Sequence, residues 1–276
     1  MSKIAFIQGR LVDSVDNKIQ AFPRKNWIKE FQLASQNNLT HIELTVDYDR
    51  IWENPVASTL GVEYLRKKLF ENNLRVIACT ADFVMHRPPW KENLTKIADI
   101  SKKIICHLGK IDCKFIVIPF VDNSSINDNY EEDAVNFLLE LKESLIENSM
   151  QVAIESDFKP EKLHTFINQL PPDLYGINYD IGNSASLGYD IEEEFNLYFN
   201  RINHIHVKDR ELNGTTVPLG CGNADLNKCF TLLKKYNYQG NFSLQTARDK
   251  SGNHVEVMLK YYNIVKEHLN ENIQEG

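Results

Sequence analysis

The 276-residue chain reads as a single (β/α)8 barrel of the α/β class. Eight short runs rich in Ile, Val and Phe recur along it, each followed by a stretch with helical periodicity. Strand then helix, repeated eight times, implies a parallel sheet. The length is close to the ~250 residues typical of an eight-fold barrel, so closure is favoured over an open doubly wound sheet.

In order, strands are expected at KIAFIQG (3–9), HIELT (41–45), RVIACTA (75–81) and KFIVIPF (114–120). The second half adds QVAIES (151–156), YGINYDI (175–181), HIHVKD (204–209) and FSLQT (242–246). The intervening helices carry apolar residues at i, i+3 and i+4, as in NWIKEFQLASQNN, LTKIADISKKIICHLGKI and VEVMLKYYNIVKEHL. No linker, low-complexity tract or charge block divides the chain. Residues 1–270 are therefore expected to form one domain, with 271–276 as a loose tail.

The net charge of −7 argues against a nucleic-acid partner, which requires a concentrated basic face. A small anionic substrate needs only one or two local cations. The five cysteines form no CxxC pair and read as reduced thiols. The N-terminus MSKIAFIQGR enters a strand without the apolar stretch of a signal peptide, and no run approaches 18 consecutive apolar residues. A cytoplasmic protein with no membrane partner is expected; homo-oligomerisation is left open.

In such barrels the chemistry sits at the C-terminal ends of the strands. Glu155 ends the fifth strand, Asp180 ends the sixth, His206 lies in the seventh and Gln245 in the eighth. Each of these residues alone has an ordinary structural reading, His206 as a hydrogen-bonded core histidine. Their coincidence on four neighbouring strands favours a ligand set. Two carboxylates, an imidazole and an amide suit one divalent ion: Mn²⁺, Mg²⁺, Co²⁺ or Zn²⁺. His204 alternates with His206, so both imidazoles face the same side.

YDIGN (179–183), HIHVKDR (204–210), the turn LGCGNADL (219–226) and a polar residue in the last strand resemble the xylose isomerase-like TIM barrel superfamily. That group holds sugar and sugar-phosphate isomerases and epimerases, inosose dehydratases and endonuclease IV. The resemblance implies that Glu155, Asp180, His206 and position 245 hold the metal. Two positions depart from the pattern. Residue 245 is Gln rather than Glu, and Asn183 stands where many relatives carry His. Gln245 retains a carbonyl oxygen for a metal but cannot act as a base, so the two-glutamate mechanism of ketohexose 3-epimerases is not implied.

Other strand ends are polar too: Gln8 and Arg10 after the first strand, Glu43 on the second, Asp82 and His86 after the third. They are candidate substrate-binding groups, with His86 also a candidate proton shuttle. Arg10 and Glu43 alternatively form an ion pair, and His86 alternatively lies on the surface. The Pro-Pro-Trp after His86 stiffens a loop that is a candidate lid. Lys208, Asp209 and Arg248 supply charge for a phosphate, a carboxylate or an enediolate. The glycine-rich LGCGNADL either cradles an anion or is a tight turn with Asn223 as N-cap.

The expected activity is a metal-dependent isomerase or epimerase of a small sugar or sugar phosphate. Glu155 would remove a proton beside the carbonyl and form an enediolate. The alternatives are a dehydratase of a keto-sugar or cyclitol and a non-catalytic sugar-binding barrel. An endonuclease IV-like reading lacks the histidines that it needs.

Overall fold

The computed structural model describes residues 2–126, 129–249 and 251–271. Eight parallel strands close a barrel: β1 (Ile4–Ile7), β2 (His41–Thr45), β3 (Arg75–Thr80), β4 (Phe115–Phe120), β5 (Gln151–Ser156), β6 (Tyr175–Asp180), β7 (Ile202–Val207) and β8 (Asn241–Leu244). Their order around the barrel follows the chain, and β8 pairs with β1 through Phe242 and Ile4. Gln245 is one residue past the end of β8. The expected tail falls, except for residue 271, outside the described residues.

Alternation along each strand separates two apolar populations. Outward residues such as Phe6, Ile42, Ile116, Ile154 and Val207 pack against the helices in one large core. Inside lies a small cluster of Ala5, Ile77, Ala78, Val117 and Ala153. Three alanines leave room in the barrel for larger groups, and Phe115 stacks on His204 there with ring centroids 5.8 Å apart. The interior therefore accepts two imidazoles from β7 that an ordinary aliphatic filling would exclude.

Register brings the site together. Asp180 lies beside His206, and His206 beside Ser243. The β6–β7 register shifts between Ile177 and Asn178, so Asp180 is level with His206. Two short helices, Asp82–His86 and Ile181–Leu187, follow β3 and β6 directly and form part of the mouth. All five cysteines are free. Among the described residues, no helix is long and apolar enough to cross a membrane.

Candidate active site

A cavity of about 690 Å³ opens at the C-terminal mouth, and Arg10, Asp82, His86, Glu155, Lys208 and Gln245 line it. Below it sit His206, fully buried, and Asp180, 5% exposed. His206 Nε2 lies 2.9 Å from Glu43 Oε1, which also accepts from Thr80 Oγ1. Glu43 Oε2 is 2.8 Å from His204 Nε2. A carboxylate can only accept, so Nε2 of His206 carries a proton. In the neutral ring its Nδ1 is then an open lone pair.

That Nδ1 is buried and has no hydrogen-bond partner among the described residues. It lies 3.5 Å from Glu155 Oε2 and 3.9 Å from Asp180 Oδ2. One donor atom from each of Glu155, Asp180 and His206 lies within 4.8 Å of the others. An orphaned imidazole nitrogen facing two carboxylates fits a divalent ion. The carboxylate behind the imidazole, Glu43, is the support that metal-bound histidines commonly have.

The electrostatics agree. Burial opposes charge on His206, yet Glu43 and Glu155 raise it to about 10. Burial would raise Glu155, but the imidazole of His206, 3.5 Å away, and the charge of Lys208 bring it down to about 2. Glu43 is held well below the carboxylate range by its two imidazoles, against its burial. Burial lowers His204, which stays neutral beside its charged neighbour. Glu43 and Glu155 thus favour an imidazolium between them in the metal-free protein, while burial raises the third carboxyl, Asp180, above its usual range.

Gln245 and Asn183 take definite partners. Lys208 Nζ is 2.7 Å from Asp180 Oδ2 as an ion pair and donates to Gln245 Oε1 at 2.7 Å. Gln245 Nε2 donates to Gln20 Oε1 at 3.2 Å. The carbonyl oxygen of Gln245 is therefore engaged by an ammonium. Asn183 donates to Glu155 Oε1 at 2.6 Å and accepts from Arg210 at 2.8 Å. Asn183 thus orients Glu155, a role that sequence reading missed because the residue registered only as a lost histidine.

Several expected substrate groups are committed elsewhere. Glu43 serves the two histidines and forms no ion pair with Arg10. Arg10 instead donates to the backbone oxygens of Thr246, at 3.0 Å, and Ile19. Gln8 is 1% exposed and accepts from the Thr45 amide at 3.2 Å. Asp209 is fully buried and takes the amides of Gly220, Gly222 and Ala224 at 2.9–3.0 Å. The glycine-rich turn therefore cradles an anion of the chain itself. Asp225, not Asn223, caps the following helix through the Lys228 amide, and Asn223 accepts from Leu212. Arg248 donates to the carbonyls of Gly9 and Val12 rather than to the cavity. Trp90 packs edge-on against Phe120, 5.2 Å between centroids, and is absent from the cavity wall. Of the group after the third strand, Asp82 and His86 do line the cavity. His86 Nδ1 is approached by the Tyr48 amide at 3.4 Å, and burial lowers its pKa.

The family model described as xylose isomerase-like TIM barrel matches residues 31–268. A putative L-ribulose-5-phosphate 3-epimerase SgbU of Haemophilus influenzae is 38% identical over 79 residues, 26% of this chain and 28% of that protein. The match therefore spans little more than a quarter of that relative's length. Inosose dehydratase of Clostridium tetani is 24% identical over 237 residues, 77% of this chain and 76% of its own. Among solved structures, IOLI protein with a binding zinc atom superposes with a TM-score of 0.73 at 15% identity, covering 98% of this chain and 99% of that one. This last likeness is one of fold.

Proposed function

The chain belongs to the xylose isomerase-like TIM barrel family, and on that premise we propose a metal-dependent enzyme that isomerises or epimerises a small sugar or sugar phosphate, with Glu155 as base. One observation carries the reading. The orphaned Nδ1 of His206 faces Glu155 and Asp180 beneath a cavity of about 690 Å³, large enough for such a substrate. Glu155, Asp180 and His206 would hold one divalent ion (Mn²⁺, Mg²⁺, Co²⁺ or Zn²⁺), with Gln245 joining only by giving up Lys208. Such an ion supplies polarisation of the substrate carbonyl and neutralises the charge of an enediolate.

The chain's own groups do the rest. Asn183 donates to Glu155 Oε1 at 2.6 Å and Asn178 to Oε2 at 3.4 Å, so two amides hold the carboxylate in place, and the proton on carbon would go to the oxygen that does not face the ion. Lys208 and Arg10 bring positive charge to the wall, where a phosphate or developing oxyanion gains from it. His86 is a candidate proton shuttle at the rim.

Dehydration of a keto-sugar or cyclitol is the second reading, favoured by Gln245. Its amide cannot abstract a proton, so two-base epimerisation at residues 155 and 245 is unavailable. The likeness to inosose dehydratase over 77% of the chain supports this alternative. The test is exchange of substrate carbon-bound protons with D₂O, using ribulose 5-phosphate and an inosose with Mn²⁺. Exchange that depends on Glu155 is expected. No exchange with either would remove the enzymatic reading and favour a sugar-binding barrel.

A further inference from the structure

With Gln245 unable to carry a proton, any second proton transfer falls to another group of the cavity, such as His86 or a carboxyl. The cavity holds a buried acid with no role so far. Asp82 follows β3 and opens the short helix Asp82–His86. It is 5% exposed and lines the same cavity as Glu155. Its Oδ2 accepts from Gln20 Nε2 at 2.9 Å; among the described residues nothing hydrogen-bonds Oδ1. Gln20 in turn accepts from Gln245, so one amide chain joins Asp82 to the end of β8.

No cation lies within ion-pair distance of Asp82 among the described residues, and a buried unpaired carboxylate is costly enough to keep its proton. Its charged surroundings are mostly acidic: Asp47, Glu155 and Glu43, with Arg10 as the nearby cation. Burial first, then Asp47, raises it to about 8. Because Gln20 donates to Oδ2, the proton belongs on Oδ1.

Resting on the reading of Glu155 as base, we propose that Asp82 is the second catalytic residue, the acid that protonates the departing hydroxyl of a polyhydroxy ketone while Glu155 removes the proton beside the carbonyl. The C–H electron pair becomes the new C=C bond. The C–O pair leaves with the hydroxyl, and the proton of Asp82 completes a water molecule. The product is the enol of a diketone. The proton on Glu155 returns to Asp82 through solvent, which resets both groups. The inference thereby selects dehydration within the proposed function.

The test uses the full-length protein with Mn²⁺ and an inosose in D₂O, following proton exchange and dehydrated product separately. Asp82→Asn can still accept from Gln20 but has no proton to give. It is expected to keep exchange and lose product formation by ~10²-fold or more, with partial recovery in Asp82→Glu. Undiminished product from Asp82→Asn, or loss of exchange in parallel with product, overturns the assignment while leaving Glu155 as base. So does a parent that exchanges but forms no dehydrated product. A parent that exchanges nothing overturns the Glu155 reading and this inference with it. Carbon NMR of the metal-free protein labelled at aspartate gives a readout without turnover. One carboxyl titrating near 8 and missing from Asp82→Asn is expected; its absence from the parent overturns the proposal.

Discussion

His206 shows how a single side chain sets the chemistry around it. Glu43 fixes the proton on Nε2, and the opposite nitrogen is left to Glu155 and Asp180. Because its pKa is raised from 6.5 to about 10, metal uptake at Nδ1 at neutral pH expels a proton. Metal affinity should therefore fall about tenfold for each pH unit lost between about pH 9 and 7, as calorimetry in buffers of different ionisation enthalpy would report. In the metal-free protein the sign is opposite. A raised pKa contributes stability that is complete below 6.5 and lost as pH rises through about 10. For Glu155, replacement by Gln keeps a carbonyl oxygen for the ion but no basic lone pair. Glu155→Gln should retain metal by elemental analysis and lose turnover by ~10²-fold or more. The proposed ligand set was legible in the sequence because four neighbouring strands each ended in a polar group, and the structure brings Glu155, Asp180 and His206 of that set together. The supporting roles of Glu43 and Asn183 were not, since they depend on which partner lies across the barrel.

At the level of elements, the strands stand out because β-branched runs alternate with amphipathic helices, and each observed strand starts and ends within a few residues of its run. What eluded the sequence was the destination of charges in the loops. Asp209 follows a metal-ligand candidate closely and carries a negative charge, so it reads as a mouth residue. Its carboxylate instead closes the turn formed by Gly220, Gly222 and Ala224. Gly222 is required there because a Cβ would come within 2.3 Å of Asp209 Oδ1. Asp209→Ala should destabilise the protein by about 3 kcal/mol, the cost of several amides losing a charged acceptor. Urea unfolding measures this, and an unchanged midpoint would mean that water replaces the carboxylate at no cost. Asn223 was likewise read as the cap where Asp225 is: both are short polar residues before a helix, and only backbone geometry decides which reaches the first free amides.

Across the whole molecule, the barrel interior is divided along its axis. Small apolar residues fill one layer, while imidazoles and carboxylates fill the layer below the mouth. The second layer gathers Glu43, Glu155, Asp180, His204 and His206 in a space shielded from water. An ion bound there joins strands far apart in sequence, so it stabilises the folded chain alone. At ~100-fold excess over its dissociation constant it should contribute about 2.7 kcal/mol, and a chelator should lower the melting temperature by several degrees. The same layer offers a competing position, since Glu43, His204 and His206 also bring ligand atoms within 4.8 Å of one another. Anomalous diffraction from crystals soaked in Mn²⁺ distinguishes the two. One peak is expected, ~2.0–2.6 Å from His206 Nδ1 and from a carboxylate oxygen of both Glu155 and Asp180. A peak between Glu43 and His204, or none near His206 Nδ1, would contradict the assignment of this mouth as a metal-dependent active site.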